Sequence, residues 1–180
     1  MARAIEDSPT NPPSGRTPVI GIDPGVNGGI ALIPREGPST AWRMPGEEED
    51  ICDLIVSLGD ENPGVVAFIE KVNAFKNASR SSSFKFGQGY GFLRGCLVGR
   101  VPFEQTYPRA WMQAARCLSG GDKRLTKRLA QNRHPHIKVT NCTSEALLIA
   151  EAGVIILRKR RDVEESIAAR AAEIRKESYR

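Results

Sequence analysis

Aromatic residues are scarce, 6% of the 180 positions, so aliphatic side chains must supply most of the packing. Histidine occurs only twice. The four cysteines, Cys52, Cys96, Cys117 and Cys142, include no CxxC pair. That spacing excludes zinc-ribbon and thioredoxin-type motifs, and reduced thiols in a reducing compartment are the default expectation. Long hydrophobic runs are missing too. The most apolar stretch, 146–157, is short and holds Glu151, which excludes a membrane span. The N-terminal segment has no apolar core of a signal peptide, so the chain is not expected to be secreted.

What is present is ordinary for a globular protein: 40% hydrophobic and 26% charged residues, with a net charge of +5. The charge is unevenly placed. Residues 1–79 carry 6 Lys/Arg against 12 Asp/Glu, whereas residues 80–180 carry 20 against 9. A basic half suggests a polyanionic partner, although a solvated helical surface explains it equally well.

Residues 1–16 are rich in Ser, Pro and Asn and read as a disordered arm. An apolar run at 17–23, a turn-forming PGVNGG at 24–29 and a second run at 29–34 predict a hairpin, with a third strand near 40–44. Ile51, Leu54, Ile55 and Leu58 recur at helical spacing within 46–59, ended by Gly59. Strands follow at 63–72 and 101–106, separated by a helix at 81–99 with four internal glycines that admit close backbone approach. Further helices are predicted at 108–116, 120–132 and 143–161, then a charged helical tail over 162–180. Three sequential antiparallel strands leading into alternating helix and strand predict an α/β fold, a mixed five-stranded sheet flanked by helices.

Three acids stand at the ends of apolar elements: Asp23 after the first strand, Glu70 at the end of the fourth, Glu145 at the start of the last helix. A carboxylate in such a place is costly without a partner. If the three converge, mutual repulsion raises their pKa values and a cation relieves it. Mg²⁺ suits oxygen ligands, and two such ions can clamp a phosphodiester. Separate helix caps or surface ion pairs are the competing account of each acid.

Four blocks, GIDPGVNGGIAL (21–32), FIEKV (68–72), SSSFKFGQGYGFLRG (81–95) and SEALLIAEAG (144–153), together resemble the RuvC family of Holliday-junction resolvases, in particular its phage-type branch. The DPG turn alone is weak, since sugar kinases and actin-like proteins have similar turns. The resemblance spans 17–157 and implies an RNase H-like (ribonuclease H superfamily) nuclease domain over 17–161. It further implies a homodimer and Mg²⁺- or Mn²⁺-dependent paired nicking of a four-way DNA junction, in the cytoplasm (a host's, if phage-encoded), an organelle or a nucleoid. Asp23, Glu70 and Glu145 match the family's catalytic acids and would hold two Mg²⁺ ions. Relatives place another acid or a His three residues before the last acid. Here that residue is Cys142, with Asn141 beside it as a weak ligand candidate. Thiolates prefer softer metals. Three accounts stay open: three carboxylates suffice with water or Asn141, Glu145 reaches further, or cleavage is weak or lost and leaves a junction-binding protein. His134 and His136 are near enough in sequence to assist, and a surface loop is the plainer account of them.

DNA-contact candidates follow. Lys123, Arg124 and Lys127 open the basic helix, with Lys123 and Lys127 one turn apart. The family has a phosphate-contacting base at this helix start. Lys71, Phe75, Lys76 and Arg80 form the loop after Glu70, and the resemblance makes Phe75 the residue that stacks on a base near the crossover. Lys85 lies close enough to reach phosphate. Arg158–Arg161 suit the dipole at the end of this helix, which is an adequate structural role, with DNA contact as a further option.

Overall fold

The computed structural model describes residues 16–72 and 79–178. Apart from Arg16, the arm at 1–16 lies outside the described residues, as do Phe75, Lys76 and the last two residues of the tail. Five strands, β1 (Val19–Asp23), β2 (Gly29–Ile33), β3 (Thr40–Arg43), β4 (Val66–Glu70) and β5 (Phe103–Thr106), form one sheet in the order β3-β2-β1-β4-β5. β1–β2 and β2–β3 pair antiparallel, and β1–β4 and β4–β5 pair parallel. The helices are α1 (Glu48–Glu61), α2 (Arg80–Leu97), α3 (Pro108–Ala114), α4 (Lys123–Arg133) and α5 (Asn141–Ser178). The mixed sheet with helices on its faces is the architecture expected.

The pleat divides the core in two. Val19 on β1 and Phe68 on β4 face one way, into a layer completed by Trp111 of α3, Ala130 of α4 and Ala146–Ala150 of α5. Ile20, Ile22, Ala67 and Ile69 face the other, against Ile51, Ile55, Leu93 and Leu97 of α1 and α2. Side chains alternate faces along a strand. Asp23, two residues beyond Gly21, and Glu70, two beyond Phe68, are therefore on the α5 face. Gly21 sets how close α5 comes: a Cβ there would collide with the Ala146 carbonyl and the Ala150 amide nitrogen. Gly153 does the same one strand over, where a Cβ would lie 2.5 Å from the Phe68 ring. Close approach of helix to strand thus rests on glycine.

Several local expectations need correction. Gly59 does not end α1, which continues to Glu61; Gly59 faces Val101, and a Cβ there would come within 3.0 Å of that side chain. The last helix and its helical tail are one element, α5, unbroken over 38 residues. The four glycines of α2, Gly87, Gly89, Gly91 and Gly95, meet none of the described residues outside their own helix within 4 Å of a hypothetical Cβ, which leaves approach by a second chain or by DNA open. The default of reduced thiols also fails for one pair: Cys52 of α1 and Cys96 of α2 form a disulfide, their Cα atoms 5.5 Å apart, while Cys117 and Cys142 are free. Placement of the two helices over one sheet face brings together cysteines 44 residues apart, which spacing rules do not reveal. No helix among the described residues is long and apolar enough to cross a membrane.

Candidate nuclease site

Parallel pairing of β1 with β4 runs from Val19–Val66 to Ile22–Ile69. The next step sets Asp23 beside Glu70 at the carboxyl ends of two neighbouring strands, on the face covered by α5. The first turn of α5 crosses β1 and β2 there: a Cβ on Gly29 would lie 2.6 Å from the Cys142 carbonyl. Glu145 therefore arrives over the same strand ends. The electrostatics show the meeting. Asp23 is pushed up to about 8 by burial first, then by the charges of Glu145 and Glu70, and its carboxyl is within hydrogen-bonding reach of Glu145. Glu70 is raised by burial and by Glu145. Lys123, at the start of α4, pulls both back down.

The backbone leading into the site is tightly held. The chain turns from Asp23 through Gly25, at φ +111°, and the Gly28 amide donates to the Gly25 carbonyl at 2.9 Å. Gly28 sits so close to Asp23 that a Cβ would strike the Asp23 carbonyl. On the other side the Lys71 amide donates to the Thr106 carbonyl at 2.7 Å, extending the β4–β5 ladder past Glu70. α3 begins two residues after Thr106 and returns Trp111 to the site, where its indole N–H donates to Glu70 Oε2 at 2.6 Å. Trp111 is fully buried. Sequence reasoning missed it; its position in a short predicted helix after the fifth strand was the available signal.

Of the basic candidates, Lys123, Arg124 and Lys127 are exposed on the first turns of α4. Asp122 caps that helix, accepting from the Arg124 and Leu125 amides at 2.8 and 3.3 Å. Lys71 lies over the Tyr107 ring, 4.8 Å from its centroid, beside Glu70. Arg80 and Lys85 are exposed on α2. Lys85 lines a groove of about 530 Å³ with Gly25, Val26 and Phe86, so α2 borders the turn after Asp23. Asn141 is exposed at the start of α5, one turn before Glu145, and Cys142 is half-buried. Arg160 binds Glu104 through both guanidinium ends, with Nη2–Oε2 at 2.9 Å.

The two histidines are elsewhere. Ser39 Oγ lies 2.6 Å from His134 Nδ1 and 3.1 Å from His136 Nε2, and His134 Nε2 is 3.0 Å from Glu151. Ser39 precedes β3, whose Thr40 pairs with Leu32, at the opposite end of the sheet from Asp23. His134 is buried rather than in a surface loop. The network ties the β2–β3 connection to α4 and α5 and takes no part in the acidic site.

The donors at the strand ends are all carboxylate oxygens, held together despite mutual repulsion, and this is the chemistry that a hard divalent cation satisfies. Among the described residues no three His, Cys, Asp or Glu side chains enclose a single point as a ready cage.

No protein-family model matches the chain, and no curated protein matches it in sequence. Solved structures do. Thermus thermophilus RuvC superposes with a TM-score of 0.56 at 17% identity, covering 79% of this chain and 96% of that one. The same protein in complex with a Holliday junction substrate gives 0.58 at 14% identity, with the same coverage. The yeast mitochondrial Holliday junction resolvase Ydc2 gives 0.47 at 13% identity, covering 78% and 79%. The chain therefore has the RuvC-like, RNase H-type fold.

Proposed function

We propose that the protein is a metal-dependent, structure-selective endonuclease that resolves four-way DNA junctions by paired nicks. The observation that carries this reading is the convergence of Asp23, Glu70 and Glu145, with Asp23 raised to about 8, at the strand ends of a RuvC-like fold. Asp23, raised by the charges of both Glu145 and Glu70, would hold the ions together with them in this reading. Mg²⁺ ions bound there, or Mn²⁺ in their place, supply positive charge to the scissile phosphate and ease deprotonation of the attacking water. Asn141 is at most an outer, neutral ligand from the first residue of α5.

Lys123, near enough to Asp23 and Glu70 to shift both, neutralises an adjacent phosphate. Arg124 and Lys127 continue that contact along α4, and Lys71, Arg80 and Lys85 extend it on the far side of Glu70. Phe75 and Lys76 belong to the same loop in sequence. Phosphate contacts set position and salt dependence rather than sequence choice. A twofold pair of chains would match the symmetry of the junction and place two sites on opposed strands.

Incubating the chain with a synthetic four-way junction and Mg²⁺ or Mn²⁺ should give symmetric nicks that Asp23→Asn abolishes while binding persists. Cys142, where relatives carry an acid or a His, favours one second reading: a junction-binding protein with weak or lost cleavage. Tight binding without nicks from the unmodified chain would select it.

A further inference from the structure

Trp111 makes an unusual choice of partner. Its indole N–H is fully buried and must find an acceptor. Main-chain carbonyls could serve, yet the acceptor is Oε2 of Glu70, at 2.6 Å. The bond joins two elements that the sheet has already registered: Glu70 pairs with Thr106 across the β4–β5 ladder, and α3 leaves β5 directly after Thr106. A Glu side chain has three torsions, and losing that freedom costs free energy each time a cation is bound. A rigid donor from the core removes most of it beforehand.

We infer that Trp111 is the positioning residue of the site, its indole holding Glu70 by Oε2 so that Oε1 is presented to a divalent cation. The inference rests on the proposed metal-dependent reading. Trp111 touches neither cation nor phosphate and acts only through Glu70. A hydrogen bond to the carboxylate from outside the coordination sphere fixes ligand orientation, and losing such a bond typically costs about 10–100-fold in metal affinity.

The test is a double-mutant cycle read by Mn²⁺ titration calorimetry on the full chain, without DNA or turnover. Trp111→Phe keeps most of the ring volume and removes the donor. It should weaken Mn²⁺ binding about tenfold, and it should have no further effect in a Glu70→Ala background. A separate readout uses the Trp42→Phe chain, in which Trp111 is the only indole: Mn²⁺ saturation should quench its emission, and Glu70→Ala should blunt that response. A folded Trp111→Phe chain with Mn²⁺ affinity within about twofold of the unmodified chain overturns the inference. So does an undiminished effect in the Glu70→Ala background, which would mark Trp111 as core packing alone. Should Trp111→Phe fail to fold, an unchanged Trp111 emission at calorimetrically confirmed saturation overturns it instead. No Mn²⁺ uptake by the unmodified chain would be a different failure: it removes the metal-dependent reading itself, and this inference with it.

Discussion

Asp23→Asn should stabilise the metal-free protein, and it should do so increasingly as the pH rises. Asp23 rises from an ordinary 3.8 to about 8 because burial and the two neighbouring acids oppose its ionisation. In the unfolded chain the same carboxyl ionises near its ordinary value. Between those two values the unfolded state binds fewer protons than the folded one, so stability is full below about pH 4 and drains away as pH rises toward 8. At about 1.4 kcal/mol per unit, the ceiling on the loss is about 6 kcal/mol. Asp23 is not wholly enclosed, and rotation of its carboxylate toward water takes up part of that. A gain of about 2 kcal/mol or more is the expected outcome for the substitution at pH 8, a melting-temperature rise of about 4–8 °C for a chain of this size. At pH 5 only about one unit of that window has been crossed, so the gain should shrink to about a third of its pH 8 value, and it should vanish below about pH 4. Thermal melts in EDTA at the two pH values make the comparison. Adding Mg²⁺ at pH 8 should then stabilise wild type, by about 2.7 kcal/mol at a hundred times its dissociation constant, and leave the Asp23→Asn chain unmoved. An equal gain at both pH values, or none at pH 8, would refute the argument that three charges are crowded at this point.

Gly21→Ala should push α5 off β1, costing about 3 kcal/mol or more by overpacking, and with Glu145 displaced the nicking rate should fall with it; circular-dichroism melts and the junction assay report the two effects. Lys123→Ala should weaken junction binding and lower the salt slope by about one phosphate contact, as read by titrations at several salt concentrations. His134→Ala should lower stability by about 1–3 kcal/mol, since it removes a buried side chain that bonds both Ser39 and Glu151, yet leave Mn²⁺ affinity unchanged by calorimetry. Reducing the Cys52–Cys96 bridge, which spans 44 residues, should destabilise the chain by up to about 4 kcal/mol in the loop-entropy account, and thiol titration of the denatured, unreduced chain should find only Cys117 and Cys142.

The three acids were legible because they break local rules. Asp23 and Glu70 each end an apolar strand, where nothing in the strand itself requires a charge, and Glu145 opens an apolar helix. Their meeting depends on register, which alternation along β1 and β4 constrains but does not state; the parallel pairing supplies it. The local corrections have one cause. Gly59 looks like a stop signal because glycine favours helix ends, but here it faces Val101 and makes room. The disulfide and the Ser39–His134 contact join residues 44 and 95 positions apart. Chain spacing carries no information about which residues a fold brings face to face. Trp111 was hidden for the same reason: an aromatic in a short helix reads as core, and core is where it lies. Its polar edge becomes informative only when the acceptor is known.

Cys142 is the point at which sequence and geometry most sharply divide the two functional readings. Its carbonyl is pinned over β2, where Gly29 leaves room for it, so the backbone that would carry a fourth ligand is already held over the strand next to that of Asp23. The side chain is half-buried and free. A soft sulfur is a poor partner for Mg²⁺, whereas Asp at this position adds a hard oxygen without moving the helix. Cys142→Asp should therefore tighten Mn²⁺ binding and, if the native site lacks a ligand, raise the nicking rate. A variant that binds Mn²⁺ no better than the parent would mean that position 142 does not face the cation. The three carboxylates would then be the whole of the protein's contribution, and the departure from the family pattern would be silent for catalysis.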